Sequence, residues 1–232
     1  MGEASAAVSW SGGKDSALAF YALERMGYSV EWFLVTVDAE AQVVTGHRVP
    51  VELVREQASA AGVRVLEVLL PGDLAPAEIY EARILDAYKV LRSRGVEYVG
   101  HGDLFLRDMM DYKSDLARRA GLEALYPLDG LPSRVVVESF LQLGMSAVVA
   151  AVDTGRLYPW LACSELDKGF LDHLPSTVDE AGEYGEFHTF VYRHPMFSRN
   201  IPVVRDGWYR YGWKSVCNLR PRLPGVASRS HP

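Results

Sequence analysis

No apolar run in this 232-residue sequence approaches the roughly 18 to 20 residues that a membrane span needs. Stretches such as WFLVTV (Trp32 to Val37) and AVVAAV (Ala147 to Val152) fall far short. No charged-then-apolar leader precedes the first strand, and the start MGEASA misses the myristoylation pattern because Ala6 stands where serine or threonine is required. A cytoplasmic protein without a membrane partner is expected. Cysteine is scarce: Cys163 and Cys217 form no CxxC pair, so neither a disulfide framework nor a zinc site can be read, and both are expected to be small buried hydrophobes. Excess positive charge is missing too. A net charge of -6 argues against a surface that coats nucleic acid, which would need clustered lysine and arginine. The one locally basic stretch is RPRLPGVASRSHP, with Arg220, Arg222 and Arg229 among prolines and small residues, read as a flexible tail over 221–232.

What is present is an ordinary globular composition, 49% hydrophobic and 23% charged, enough for one sizeable core or a core and a small second lobe. The small-residue strand ASAAVSW ends before Ser11, and Asp15 to Met26 carries Leu18, Ala19, Ala22, Leu23 and Met26 at helical spacing, with Gly27 as its stop. Strand VEWFLVTV, a helix over 51–61, strand VRVLEVLL, a helix over 76–94 and strand VEYVG follow. Buried-type strands alternating with amphipathic helices predict an α/β fold with a doubly wound, mainly parallel sheet. PLDGLP breaks this pattern after Tyr126; a smaller C-terminal α/β lobe is expected over 129–220, with a helix over 134–143 and the strand SAVVAAVD, leaving 1–128 as the first domain.

The stretch SGGKDS, Ser11 to Ser16, stands where the first strand, ending just before Ser11, hands over to the first helix, a place where amides and the positive helix end can hold phosphate. It is neither a Walker A loop, since Asp15 follows Lys14 and Val8 stands in place of the earlier glycine, nor a GxGxxG turn. The plain alternative is a tight turn with Ser11 or Asp15 capping the helix. SGGKDS resembles the SGGxDS signature of the ATP pyrophosphatases, whose fold is adenine nucleotide alpha hydrolase-like and which cut ATP between its α and β phosphates. The resemblance implies that Ser9, Ser11, Gly12, Gly13, Lys14, Asp15 and Ser16 serve ATP, with Asp15 reaching it through Mg²⁺.

A second segment, AGEYGEFHTFVYRHPMF (Ala181 to Phe197), frames Glu183 and Glu186 between Gly182 and Gly185 and continues as an alternating strand. Alone it reads as a glycine hairpin with solvated glutamates. Together with SGGKDS, with GHGDLFLRDMMDYKSDLARRAGLEALYPL (Gly100 to Leu128) and with AVDTGRL (Ala151 to Leu157), it resembles the diphthine-ammonia ligase family and its bacterial relatives, over about Val8 to Pro202. The resemblance implies that Gly102 and Asp103 close the nucleotide crevice, and that Glu183, Tyr184, Glu186, His188 and Thr189 line the acceptor side. Lys14, Asp15, Glu186 and His188 are the expected catalytic residues, with Glu186 favoured over Glu183 as the base. Ala181 replaces a frequent cysteine, Tyr184 a smaller residue and Asp129 a common tryptophan, and WLACSEL lacks usual glycines; the nucleotide half keeps the pattern better than the substrate half.

The implied reaction is adenylation of a carboxylate by ATP and its amidation by ammonium. The partners would be ATP and a carboxylate acceptor, either the diphthine of elongation factor 2 or a small acid, and a homodimer is compatible. Two other readings are a nucleotide-binding regulator without turnover and a tRNA-modifying pyrophosphatase, the latter disfavoured by the acidic chain.

Overall fold

The computed structural model describes residues 4–222. The first half forms a six-stranded sheet from β1 (Ala4–Ser9), β2 (Tyr28–Asp38), β3 (Val43–Val44), β4 (Arg64–Leu70), β5 (Tyr98–Gly100) and β6 (Glu123–Leu125). Five strands run parallel in the order β4-β2-β1-β5-β6, and β3 is an antiparallel pair on the end of β2. Helices α1 (Lys14–Arg25), α2 (Val51–Ala61), α3 (Ala77–Ser93) and α4 (Arg107–Arg119) make the crossovers. This is the expected doubly wound sheet. Strand β1 lies at its centre with Ala6 and Ala7 fully buried, which accounts for the small residues of ASAAVSW. The strand order reverses between β1 and β5, so the loops that follow these two strands open one crevice at the carboxyl edge.

Trp10, stacked 3.9 Å from Phe33 and edge-on to Phe20, fixes the end of β1 against α1 and β2. Four buried residues of α1, Ala17, Leu18, Phe20 and Leu23, sit at helical spacing, and Gly27 ends the turn at φ +90°. The helix expected from Pro76 starts one residue later, with Pro76 as the flanking residue.

Beyond α5 (Ser133–Gln142) lies an antiparallel sheet in the order β8-β7-β10-β9, built from β7 (Ser146–Asp153), β8 (Phe187–Arg193), β9 (Val203–Tyr211) and β10 (Lys214–Pro221), with the short helix α6 (Lys168–Asp172) before β8. Two expectations need correcting. Cys163 and Cys217 are bonded to each other across 54 positions, because the loop after β7 brings the half-buried Cys163 onto the buried Cys217 of β10. Of the expected 221–232 tail, only Pro221 and Arg222 are among the described residues. Arg220 and Pro221 belong to β10, with Arg220 paired to Asp206, and the Arg222 amide donates to the Pro202 carbonyl at 3.0 Å. Arg229 and residues 223–232 lie outside the described residues, as does the MGE start. Among the described residues no helix is long and apolar enough to cross a membrane.

Candidate active site

Strand β8 of the second lobe lies against the glycine loop of the first. The Val191 amide donates to the Gly12 carbonyl at 2.8 Å, and Thr189 Oγ1 accepts from the Lys14 amide at 2.9 Å. Helix α1 therefore has its first amide capped from the other lobe; neither Ser11 nor Asp15 caps it, and its flanking residue is Gly13. Gln57 of α2, fully buried, completes the joint: its Nε2 donates to the Gly12 and Val191 carbonyls at 3.0 and 2.6 Å, and its Oε1 accepts from Trp10 Nε1 at 2.9 Å. Gly12 is held at φ +79°, and a Cβ there would come within 2.9 Å of Gln57 Oε1.

Between the lobes lies a cavity of about 250 Å³. The glycine loop presents Ser9, Ser11, Lys14, Asp15 and Ser16 to it. His101, Gly102 and Asp103 come from the β5 end, and Glu183, His188 and Thr189 from the second lobe. Gly102 lets the two loops touch, since a Cβ would meet the Asp15 backbone at 2.7 Å. Four expected residues stand elsewhere. Gly12 and Gly13 are turned to β8, Gly13 with the Thr189 carbonyl 3.1 Å from where its Cβ would be. Tyr184 is exposed and packs on Phe105 at 5.7 Å. Glu186 is 1% exposed; its carboxylate accepts from the Asp179 and Tyr184 amides and from Arg156. The Gly185 turn, at φ +82°, carries the two glutamates to different places: Glu183 stays at the cavity and Glu186 becomes a structural anchor.

Charges at the cavity are strongly perturbed. Burial raises Asp15, opposed by Lys14, whose Nζ lies 2.9 Å from Asp15 Oδ2 and also donates to the Ala181 carbonyl. Burial lifts Glu183 to about 7, partly offset by the Leu104 amide that donates to its Oε1 at 2.9 Å. Asp103 is paired with Lys113 at 2.6 Å, and it does not cap α4, whose flanking residue is Leu106. Burial lowers His47 to about 4 and His101 to about 3, so both are neutral imidazoles at pH 7.

Among the described residues no group of three or more His, Cys, Asp or Glu side chains forms a metal cluster. Magnesium needs none, because it is commonly held by one or two carboxylates together with substrate phosphates. Asp15 Oδ1, buried at the cavity without a hydrogen-bond partner, fits that manner of binding.

Sequence reasoning missed His47, His101, Lys113 and Gln57. Gln57 carried a signal, being the polar member of the buried stripe Val51, Val54, Gln57, Ala58 on α2; His47, in a short turn, carried none.

The family model for the diphthamide synthase N-terminal domain matches residues 4–124, and that for its C-terminal domain matches residues 132–220. No curated protein matches the chain. With the glycine loop at the switch point of a parallel sheet and both halves of the family pattern present in order, the chain belongs to the diphthamide synthase family of PP-loop ATP pyrophosphatases.

Proposed function

We propose that the protein is an ATP-dependent ligase that adenylates a substrate carboxylate and amidates it with ammonia, releasing AMP and pyrophosphate. The observation that carries this reading is the single cavity that joins Ser11, Lys14, Asp15 and Ser16 to Glu183, His188 and Thr189, so that a phosphate chain on the first lobe would meet an acceptor on the second. In the first step a carboxylate oxygen attacks the α-phosphorus and the bond to the β-phosphate oxygen breaks. In this reading the Ser11 and Ser16 hydroxyls and the Lys14 ammonium, all at the cavity, would receive the departing pyrophosphate. In the second step nitrogen attacks the acyl carbon and AMP leaves. The nitrogen must first shed a proton, and Glu183, half ionised near neutral pH at the acceptor side, is the group suited to take it. Asp15 would hold Mg²⁺ arriving with the nucleotide, where it would neutralise phosphate charge. Asp103 would act through Lys113, with which it is paired and which also lines the cavity.

The acceptor is proposed to be a carboxylate of the diphthine type or a small acid. A second reading, a nucleotide-binding regulator, draws on the Thr189 hydroxyl that occupies the first α1 amide. Incubation with ATP, Mg²⁺, ammonium and a panel of carboxylates, diphthine-bearing elongation factor 2 among them, separates the two. The ligase reading expects AMP and pyrophosphate in step with amide. Release of ADP and phosphate, or nucleotide binding with no turnover on the whole panel, would overturn it.

A further inference from the structure

We infer that Lys214 fixes the tautomer of His188, making that imidazole a hydrogen-bond donor to an oxygen of the acceptor substrate. Lys214 opens β10 and His188 stands on β8, with β7 between them. The lysine Nζ donates to the Gly46 carbonyl at 2.8 Å and lies 3.2 Å from His188 Nε2. An ammonium has donors only, so His188 Nε2 must offer its lone pair and the ring proton must sit on Nδ1. Nδ1 makes no hydrogen bond among the described residues, and the ring lines the cavity, so Nδ1–H is the polar group left for a ligand.

The surroundings keep the ring from gaining a second proton. Lys14 and His47 face His188, the latter ring 4.3 Å away, while Asp73, Asp153 and Arg48 surround Lys214. Burial, His47, Lys214 and Lys14 all hold His188 well below its ordinary range. A fixed Nδ1–H in a cavity that also carries the Lys14 ammonium suits a carboxylate, carbonyl or phosphate oxygen and repels ammonium. The cavity thus holds both an oxygen-receiving group, His188, and a proton-accepting group, Glu183. Naming the oxygen as the acceptor's carboxylate rests on the ligase reading; the tautomer does not.

Histidine-labelled protein, with His188 assigned by the resonance lost in His188→Gln, reports the tautomer through its ring ¹⁵N shifts. The expected result is an Nδ1–H imidazole unchanged from pH 6 to 8. Lys214→Met should convert it to Nε2–H, and Lys214→Arg, which keeps a donor, should retain Nδ1–H. Thermal melts of both variants establish that they are folded. An Nε2–H ring in the wild type, or an unchanged ring in folded Lys214→Met, would overturn the inference. In turnover assays Lys214→Met should raise KM for the carboxylate about tenfold and leave KM for ATP in place; an unmoved carboxylate KM would overturn the substrate half. If no carboxylate is turned over by the wild type, the ligase reading fails while the nitrogen shifts still decide the tautomer.

Discussion

Glu183 and Glu186 belong to one glycine-framed turn and have opposite fates. The sequence pairs them and favours Glu186, because a motif shows spacing but not which carboxylate finds buried donors. Two amides and Arg156 fill the coordination of Glu186, whereas the Glu183 carboxylate receives one amide and no other hydrogen bond among the described residues. If Glu183 takes the proton from ammonium, activity should rise with pH through about 7, and Glu183→Gln should abolish that limb and most of kcat. The same shift affects stability. A folded-state carboxyl raised from 4.5 to about 7 binds more protons than the unfolded chain in that window, so stability falls as pH rises through it. Glu183→Gln should remove this fall, as read by denaturant midpoints at pH 5 and pH 8. Glu186→Gln should instead lower stability by about 1–3 kcal/mol at both pH values, since it leaves buried donors without their carboxylate.

Helix α2 and strand β8 clamp the glycine loop, with Gln57 as the contact that both need. Gln57→Leu strips partners from the Trp10 indole and from two carbonyls, and should cost about 2–3 kcal/mol in urea unfolding. Affinity for an ATP analogue should fall with it, because the loop would lose its support. The alternation of β1, β2, β4 and β5 with α1, α2 and α3 was legible because buried parallel strands are continuous apolar runs and the helices between them carry a 3.6-residue stripe. Strands β9 and β10 were not. VVRDGWYRY is an edge strand with nearly every residue exposed, so neither face carries an apolar alternation, and Gly207 interrupts it. The contact of β8 with Gly12 was invisible for a different reason: the Val191 to Gly12 hydrogen bond joins two backbones and depends on no side chain.

The whole molecule is two sheets joined at one cavity, and the second sheet is cross-linked. Closing a loop of 54 residues restricts the unfolded chain by about 4 kcal/mol in the chain-entropy picture. Reductant should therefore lower the melting temperature of the oxidised protein by roughly 10 °C, and Cys163→Ser should reproduce the reduced value without added reductant. The sequence could not reveal this pairing, because two distant cysteines have no spacing to interpret and the loop that unites them has no regular structure. The bond also turns the chain from Cys163 to Cys217 into a closed covalent ring. Glu183, His188, Thr189 and Lys214 all lie on that ring, so a protease that cuts once within it leaves every one of them attached to a single molecule, and the two pieces part on a gel only after reduction.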